Sequence, residues 1–359
     1  MMHQAQLLEF SDNQPLSDFL FKNDIYDYDA RPVGEDMAPR RYYRLNVKGR
    51  SDTLILCISP ADHDAAAHPG HLIVNTMKLS QLLAANGVRV PTIYDADADQ
   101  GFVLLEDFGE LRFDQAIAQG EVAALDAYVL AANTSQKLQQ ITDIDGLPDY
   151  YQSHVHQARG RVVQWYLPLL LRQPTSQADA AAFLQQWDDV EADLPAQRQV
   201  FSHVDFHLMN LMYLADEKGT GQCGVLDFQG AMRASYVYDL VNLLGDARRL
   251  VAPEIKADIL ARFMADMSAA EKAVFQDHYN VLSAQFHGRC LGQFVQLAFM
   301  GKPQYLQYIP IVLRQFKDDM DAPILAPIKA WLDAHGMDFS HPITVDVEND
   351  RPYVETLLA

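Results

Sequence analysis

The chain has 359 residues, 49% of them hydrophobic and 21% charged, with a formal net charge of −20. That is enough apolar material for one large domain or a two-lobed unit with a sizeable core. The charge repels nucleic acid and anionic membranes over long range, which argues against both as main partners. The scattered cysteines Cys57, Cys223 and Cys290 show no metal spacing and read as free thiols of a reducing compartment. The start, MMHQAQLLEFSD, lacks a signal-peptide pattern, and no apolar run approaches the about 18 residues of a membrane span, so a cytoplasmic location is expected.

Residues 1–24 carry a short helix-like pattern at Leu7, Leu8 and Phe10. The pattern then turns β-rich, with strands expected over Ile25–Val33, Arg40–Lys48 and Thr53–Ser59. His71–Asn86 reads as an amphipathic helix, with Leu72, Ile73, Thr76, Leu79, Leu82 and Leu83 on one face and Asn86-Gly87 as its stop. Two further strands are expected at Val88–Tyr94 and Gly101–Glu106. This order makes residues 1–108 a small α+β lobe, with a hinge near Leu105–Gly109. From residue 109 to 359 the chain is mostly helical. Helices are expected over 121–142, 150–171, 176–193, 238–251, 253–268, 270–300, 303–320 and 323–335, and the tail from Met337 reads as a surface-packed extension.

One β-hairpin interrupts the helical part. Strand-like Asn210–Leu214 and Gly224–Phe228 flank a turn-rich Ala215–Gln222. A hairpin fixes the separation of what sits at its outer ends. Those ends carry His203-x-Asp205-x-x-x-x-Asn210 and Asp227-Phe228-Gln229. Asn210 and Asp227 supply the hard oxygens that suit Mg²⁺ beside phosphates, and Asp205 can accept the proton of an attacking hydroxyl. Phosphoryl transfer leaves the protein mainly positioning and charge neutralisation, which this set can provide. The alternative is that Asp205 and Asn210 are turn residues. A His-x-Asp-x4-Asn pattern arises by chance in roughly one chain of this length in a hundred, so the phosphoryl-transfer reading is favoured.

His203, Asp205, His207 and Asn210, then Asp227-Phe228 and Tyr238-Asp239-Leu240, resemble the catalytic core of the aminoglycoside phosphotransferase and choline kinase-like superfamily. Within it the likeness is strongest to the anomeric N-acetylmuramate/N-acetylglucosamine kinases of bacterial cell-wall recycling. Supporting stretches are PRRYYRL, ANGVRVPTIYDADADQGFVLLEDFG, QWYLP, VLDFQ and GKPQYLQYIP, which together run from residue 39 to 310. The resemblance implies a protein-kinase-like α+β fold. Its small lobe (1–108) would bind the nucleotide, and its large helical lobe (109–359) would carry the hairpin, the metal site and the acceptor pocket. It also implies ATP and Mg²⁺ as cofactors, a small-molecule acceptor such as an amino sugar, and a bracing role for Asp239 under the catalytic loop.

Glu106-Asp107-Phe108-Gly109 contains the letters DFG, but about a hundred residues before the Asp205 loop. It reads as the hinge, with Glu106 and Phe108 offering backbone groups to the adenine, or as a plain strand-terminating turn. There is no G-x-G-x-x-G, and strand 53–59 has no lysine for the α/β-phosphates. Strand alternation puts Arg41 on the face of Tyr43, Leu45 and Val47, taken as inward. Arg41 is therefore the first choice for the phosphate contact, with solvated strand charges as an equal alternative. His203 and His207 read as residues packing their own loop. Trp165 and Tyr166 could stack on a sugar or belong to the core, and Gln285, His287 and Arg289 could line an acceptor pocket or face solvent. The function expected is transfer of a γ-phosphoryl group to a hydroxyl, the anomeric one of N-acetylmuramate or N-acetylglucosamine. The alternatives are an aminoglycoside- or choline-type phosphotransferase and a non-catalytic nucleotide-binding protein on the same fold.

Overall fold

The computed structural model describes residues 13–34, 40–64 and 72–358. The pattern at Leu7, Leu8 and Phe10, residues 35–39 of the loop before Arg40, and His71 lie outside these. The chain divides into two compact units, one running up to Ala123 and taking in Leu208–Ala231, the other made of Ala124–His207 and the chain from Met232 onward.

The first unit is built on a five-stranded antiparallel sheet in the order β1-β2-β3-β5-β4. Its strands are β1 (Tyr28–Val33), β2 (Arg41–Val47), β3 (Leu54–Ile58), β4 (Ile93–Asp97) and β5 (Phe102–Glu106). Side chains alternate between its faces. Tyr43, Leu45 and Val47 of β2 join Leu54, Leu56, Ile58, Phe102 and Leu104 on one face. Helix α1 (Gln14–Lys22) covers that face with Leu16, Phe19 and Leu20. The Asn13 side chain caps α1 by accepting from the Leu16 amide at 3.1 Å. On the other face Tyr42, Cys57, Val103 and Leu105 pack against Ile73 and Met77 of α2 (Ile73–Ala85). The Asp62 carboxylate caps α2, accepting from the amides of Ile73 and Val74 at 2.7 and 3.0 Å. At the β4–β5 turn, Gly101 has φ +82° and lies so close to the chain that a Cβ would sit 2.0 Å from the Ser59 carbonyl oxygen.

Beyond β5 the first unit continues through α3 (Phe113–Gln119). After β6 (Gln199–Ser202, in the second unit) the chain returns to it with β7 (Leu211–Tyr213) and β8 (Cys223–Val225). The hairpin register is Leu211↔Val225, Met212↔Gly224, Tyr213↔Cys223. Two backbone bonds tie the hairpin to this unit, Tyr213 N to Leu111 O at 2.8 Å and Val225 N to Arg89 O at 2.7 Å. They explain why the chain does not divide at residue 108, as its sequence suggests, and why the hairpin groups with the sheet.

The second unit is mainly helical. It contains α4 (Ala124–Leu138), α5 (Gln177–Ala192), α6 (Tyr238–Leu244), α7 (Pro253–Phe263), α8 (Ala269–Phe299), α9 (Ile309–Asp319), α10 (Ala326–Ala334) and α11 (Val347–Leu358). Residues 151–171 are helical but wound as π-helix over Tyr151–Val155 and Val162–Tyr166. The long α8 opens on a capping box, in which Ser268 and Glu271 each accept from the other's amide. Its Gly292 lets the 160s segment press against it, and its Gly288 makes room for the Phe316 ring of α9. A Cβ on Gly292 would lie 2.1 Å from the Arg161 carbonyl oxygen.

Three elements differ from the sequence reading. β6 pairs with β9 (Met232–Ser235) in a short ladder that the sequence pattern does not announce, because neither strand is long enough to show a period. The strand expected at Val88–Tyr94 begins only at Ile93. The tail, expected as an extension, forms α11 despite Pro352 inside it. Asp346 starts this helix by accepting from the amides of Glu348 and Asn349, and Arg172 pairs with Asp350 at 2.5 Å.

Candidate active site

The metal candidates Asn210 and Asp227 stand at the open end of the hairpin in the first unit. Asn210 ends the turn Leu208–Asn210, and its carbonyl accepts from the Leu226 amide at 2.9 Å, which fixes the backbone next to Asp227. Asp227 is exposed and adopts the left-handed conformation, φ +57° and ψ +31°, before a turn at Phe228–Gly230 that packs on α2. Non-glycine residues in this region cluster at functional sites, where the surrounding structure holds them. Gln229, in the place of the glycine of a DFG triplet, is buried and donates to the Asp227 carboxylate. Among the described residues no group of three His, Cys, Asp or Glu could hold a metal. An amide oxygen and one carboxylate do suit Mg²⁺, which takes one or two protein oxygens and completes its shell with phosphates and water.

The other members of the first unit change the reading of the hinge and of the cation. Asp107, the aspartate of the DFG look-alike, is taken up by Arg44, whose guanidinium donates to both its oxygens. It also accepts from Thr53 Oγ at 2.6 Å and from the Gly109 amide at 2.8 Å. Burial raises its pKa, but these partners outweigh burial and hold it below the usual carboxylate range. Asp107 is a structural ion-pair residue. Glu106 directs its carboxylate to Arg89 and to the amide and hydroxyl of Thr92. Its own amide donates to the Thr92 carbonyl at 2.8 Å. Phe108 lies under Arg89, 4.5 Å from guanidinium to ring centre, and a Cβ on Gly224 would strike its ring at 2.7 Å. The side chains of Glu106 and Phe108 therefore lock the hairpin to the sheet.

Arg41 is exposed, and the β2 face it shares with Tyr43 is the one α1 covers. Buried Arg40 hydrogen-bonds Tyr42, which is on the opposite face. Burial pushes the Tyr42 phenol well above its usual pKa, with Asp227 adding to the rise and Arg40 opposing it. Arg40 and Asp227 thus both act on Tyr42.

The second unit holds His203, Asp205, His207 and Asp239. Asp239, the second residue of α6, is buried and gathers the loop that follows β6. Its carboxylate accepts from Ser202 Oγ at 2.6 Å, the His203 amide at 2.9 Å and the Val204 amide at 3.0 Å. Burial raises its pKa against the opposing pull of His203 and these hydrogen bonds. Val204 is held at φ +64°, an outlier for a β-branched residue, and the turn leads directly into Asp205. His203 is buried, accepts from the Asp205 amide through Nδ1 at 3.3 Å and packs edge-on to Phe206.

The Asp205 side chain is half-exposed, with Oδ1 3.3 Å from His207 Nε2. Burial pushes its pKa up, but the contact with His207 and the neighbouring Arg248 and His203 hold the carboxyl well below the usual range. Asp205 is therefore ionised at neutral pH. Tyr166 is core, with its hydroxyl accepting from the Ile343 amide at 3.3 Å. His287 is buried between Asp319 and the Gly245 carbonyl, at 2.5 and 2.9 Å. Gln285 donates to Glu191. Neither is solvent-facing.

The small sheet unit, the helical unit and a hairpin ending in Asn210 and Asp227 define a phosphotransferase of the protein-kinase-like α+β class. A family model described as "Phosphotransferase enzyme family" matches residues 29–272, and the chain belongs to that family. It is 30% identical over 352 residues to the N-acetylmuramate/N-acetylglucosamine kinase of Caulobacter vibrioides, covering 88% of this chain and 94% of that one. It is 28% identical to the enzyme of the same name from Neisseria meningitidis, over 85% and 90% of the two chains. Among solved structures it is similar in fold to APH(2")-IIia in its GDP and kanamycin complex, with TM-score 0.57, 13% identity, and coverage of 86% and 99%. It is likewise similar to an ethanolamine kinase of Plasmodium vivax, with TM-score 0.51, 9% identity, and 93% of each chain covered. No helix among the described residues is long and apolar enough to cross a membrane.

Proposed function

We propose that the protein transfers the γ-phosphoryl group of ATP to the anomeric hydroxyl of N-acetylmuramate or N-acetylglucosamine. The observation that carries this reading is the 30% identity to a kinase of that name across nearly the full length of both chains. The site chemistry supports it. Asp205, ionised and oriented by His207, accepts the proton as the sugar oxygen attacks the γ-phosphorus and ADP departs. Asn210 and Asp227 would hold Mg²⁺, which would offset the charge of the phosphates. Arg40 takes the place of the missing strand lysine as the cation for the phosphates. Asp239 positions the loop and does not touch the reacting atoms.

The test is ADP release with ATP, Mg²⁺ and a panel of N-acetylated sugars, aminoglycosides and choline. Turnover is expected with the acetylated amino sugars, absent with EDTA, and lowered about 10²–10⁴-fold by Asp205→Asn. Turnover of an aminoglycoside alone would overturn the acceptor assignment, and full activity of Asp205→Asn would overturn the base.

A further inference from the structure

Asp205 shares the second unit with a group of arginines that stands out in a chain of net charge −20. Arg248 lies close enough to lower the Asp205 pKa, and its Nη1 is 3.4 Å from buried Asp246. Arg289, on α8, donates from Nη1 to the Tyr150 hydroxyl at 2.7 Å and stands 5.2 Å from the Phe286 ring centre. The Tyr150 hydroxyl is in turn 3.0 Å from that of Tyr238, next to Asp239. The Arg289 Nε is buried and has no hydrogen-bond partner among the described residues. Arg161 is brought to the same place by Gly292, one helical turn after Arg289. A Cβ on Gly292 would lie 2.8 Å from that of Arg161. Cys290, beside Arg289, feels the charges of Arg289, Arg248 and Asp205 together, which ties the group to the base.

Among the described residues no carboxylate forms an ion pair with Arg161 or Arg289. Burial, followed by the like charge of Arg289, lowers the Arg161 pKa. A partly desolvated guanidinium without a carboxylate partner is costly in an empty protein. The cost is offset when an anion completes the site, and a planar guanidinium matches a carboxylate in two parallel hydrogen bonds.

We infer that Arg161 and Arg289 recognise the carboxylate of an acid-bearing amino sugar and so set the preference of the acceptor site. The inference rests on the proposed acceptor class and deepens it. N-acetylmuramate carries a lactyl carboxylate that N-acetylglucosamine lacks. A polycationic aminoglycoside would meet repulsion at the same place.

The experiment compares kcat/KM for the two sugars in the wild type, Arg161→Gln, Arg289→Gln and Arg289→Lys. Loss of a charge-assisted pair corresponds to about 10- to 100-fold. The Gln variants should therefore lose at least ten-fold more with N-acetylmuramate than with N-acetylglucosamine, through KM, with Arg289→Lys intermediate. An equal loss on both sugars would assign the arginines to the transferred phosphate or to packing and overturn the inference. Calorimetric titration of each sugar without nucleotide separates this outcome from failure of the kinase reading. Tighter binding of the acid that Arg161→Gln abolishes supports the inference even where turnover fails, and no preference for the acid sinks it.

Discussion

Removing Asp239 tests whether the catalytic loop is held under strain. Its carboxylate accepts from Ser202 Oγ and from the amides of His203 and Val204, at 2.6, 2.9 and 3.0 Å. Hydrogen bonds to a charged group contribute about 1.5–3 kcal/mol each, and the left-handed backbone that Val204 adopts at φ +64° costs an L-residue about 1–2 kcal/mol. In Asp239→Ala the amides lose their acceptor and the Val204 strain is no longer opposed by these bonds. The turn should relax and carry Asp205 out of position. A loss of about 10²–10³ in kcat follows if roughly 3–4 kcal/mol of positioning is forfeited. Val204→Gly removes the strain by substituting the one residue at ease in this conformation. If strain is the cause, Asp239→Ala made in the Val204→Gly background should lose about 5- to 30-fold less than in the wild type, equivalent to about 1–2 kcal/mol of coupling. ADP release measured for all four proteins, each checked by circular dichroism at the assay temperature, gives the cycle. Additive losses would refute the strain argument and leave Asp239 as a packing residue.

Other expectations follow from the same geometry. His207→Ala removes a neighbour that holds Asp205 below the usual carboxylate range, so the Asp205 pKa rises. The acid limb of the kcat/KM–pH profile should move upward, making the variant relatively weaker at pH 5 than at pH 7.5; an unmoved limb would contradict the pairing. Arg40→Met should raise the KM for ATP by at least ten-fold while exposed Arg41→Met changes it less than three-fold, in steady-state titrations of ATP, and the reverse order would restore Arg41. Asp107→Ala leaves buried Arg44 without its main partner and should cost about 3–5 kcal/mol in urea denaturation. Its kcat should stay within a few-fold at a temperature where the variant is folded, as a lost metal ligand would not allow.

The stretches that could be read directly are those whose chemistry is local. The β2 and β3 runs, the hairpin turn and the His203-x-Asp205-x4-Asn210 spacing are all set within a few residues. β6 and β9 escaped because each is too short to show a period and exists only through the other. The helix of the tail escaped because Pro352 argues against it, and Asp346 and Arg172 are what stabilise it. What the Arg41 face meets was not legible for a related reason. Alternation correctly separates Arg41 from Tyr42, but an apolar face can be buried by a helix as readily as turned toward a ligand.

The sequence alone determined the reaction class, because phosphoryl transfer needs only a carboxylate base and a few hard oxygens at a spacing that one hairpin can set. Tertiary structure decided which charges are spent. Arg44 is consumed by Asp107. Arg161 and Arg289 are brought together across Gly292, although 128 positions separate them in the sequence. Whether a charge is paired depends on what packs beside it, and that is a property of the folded interior.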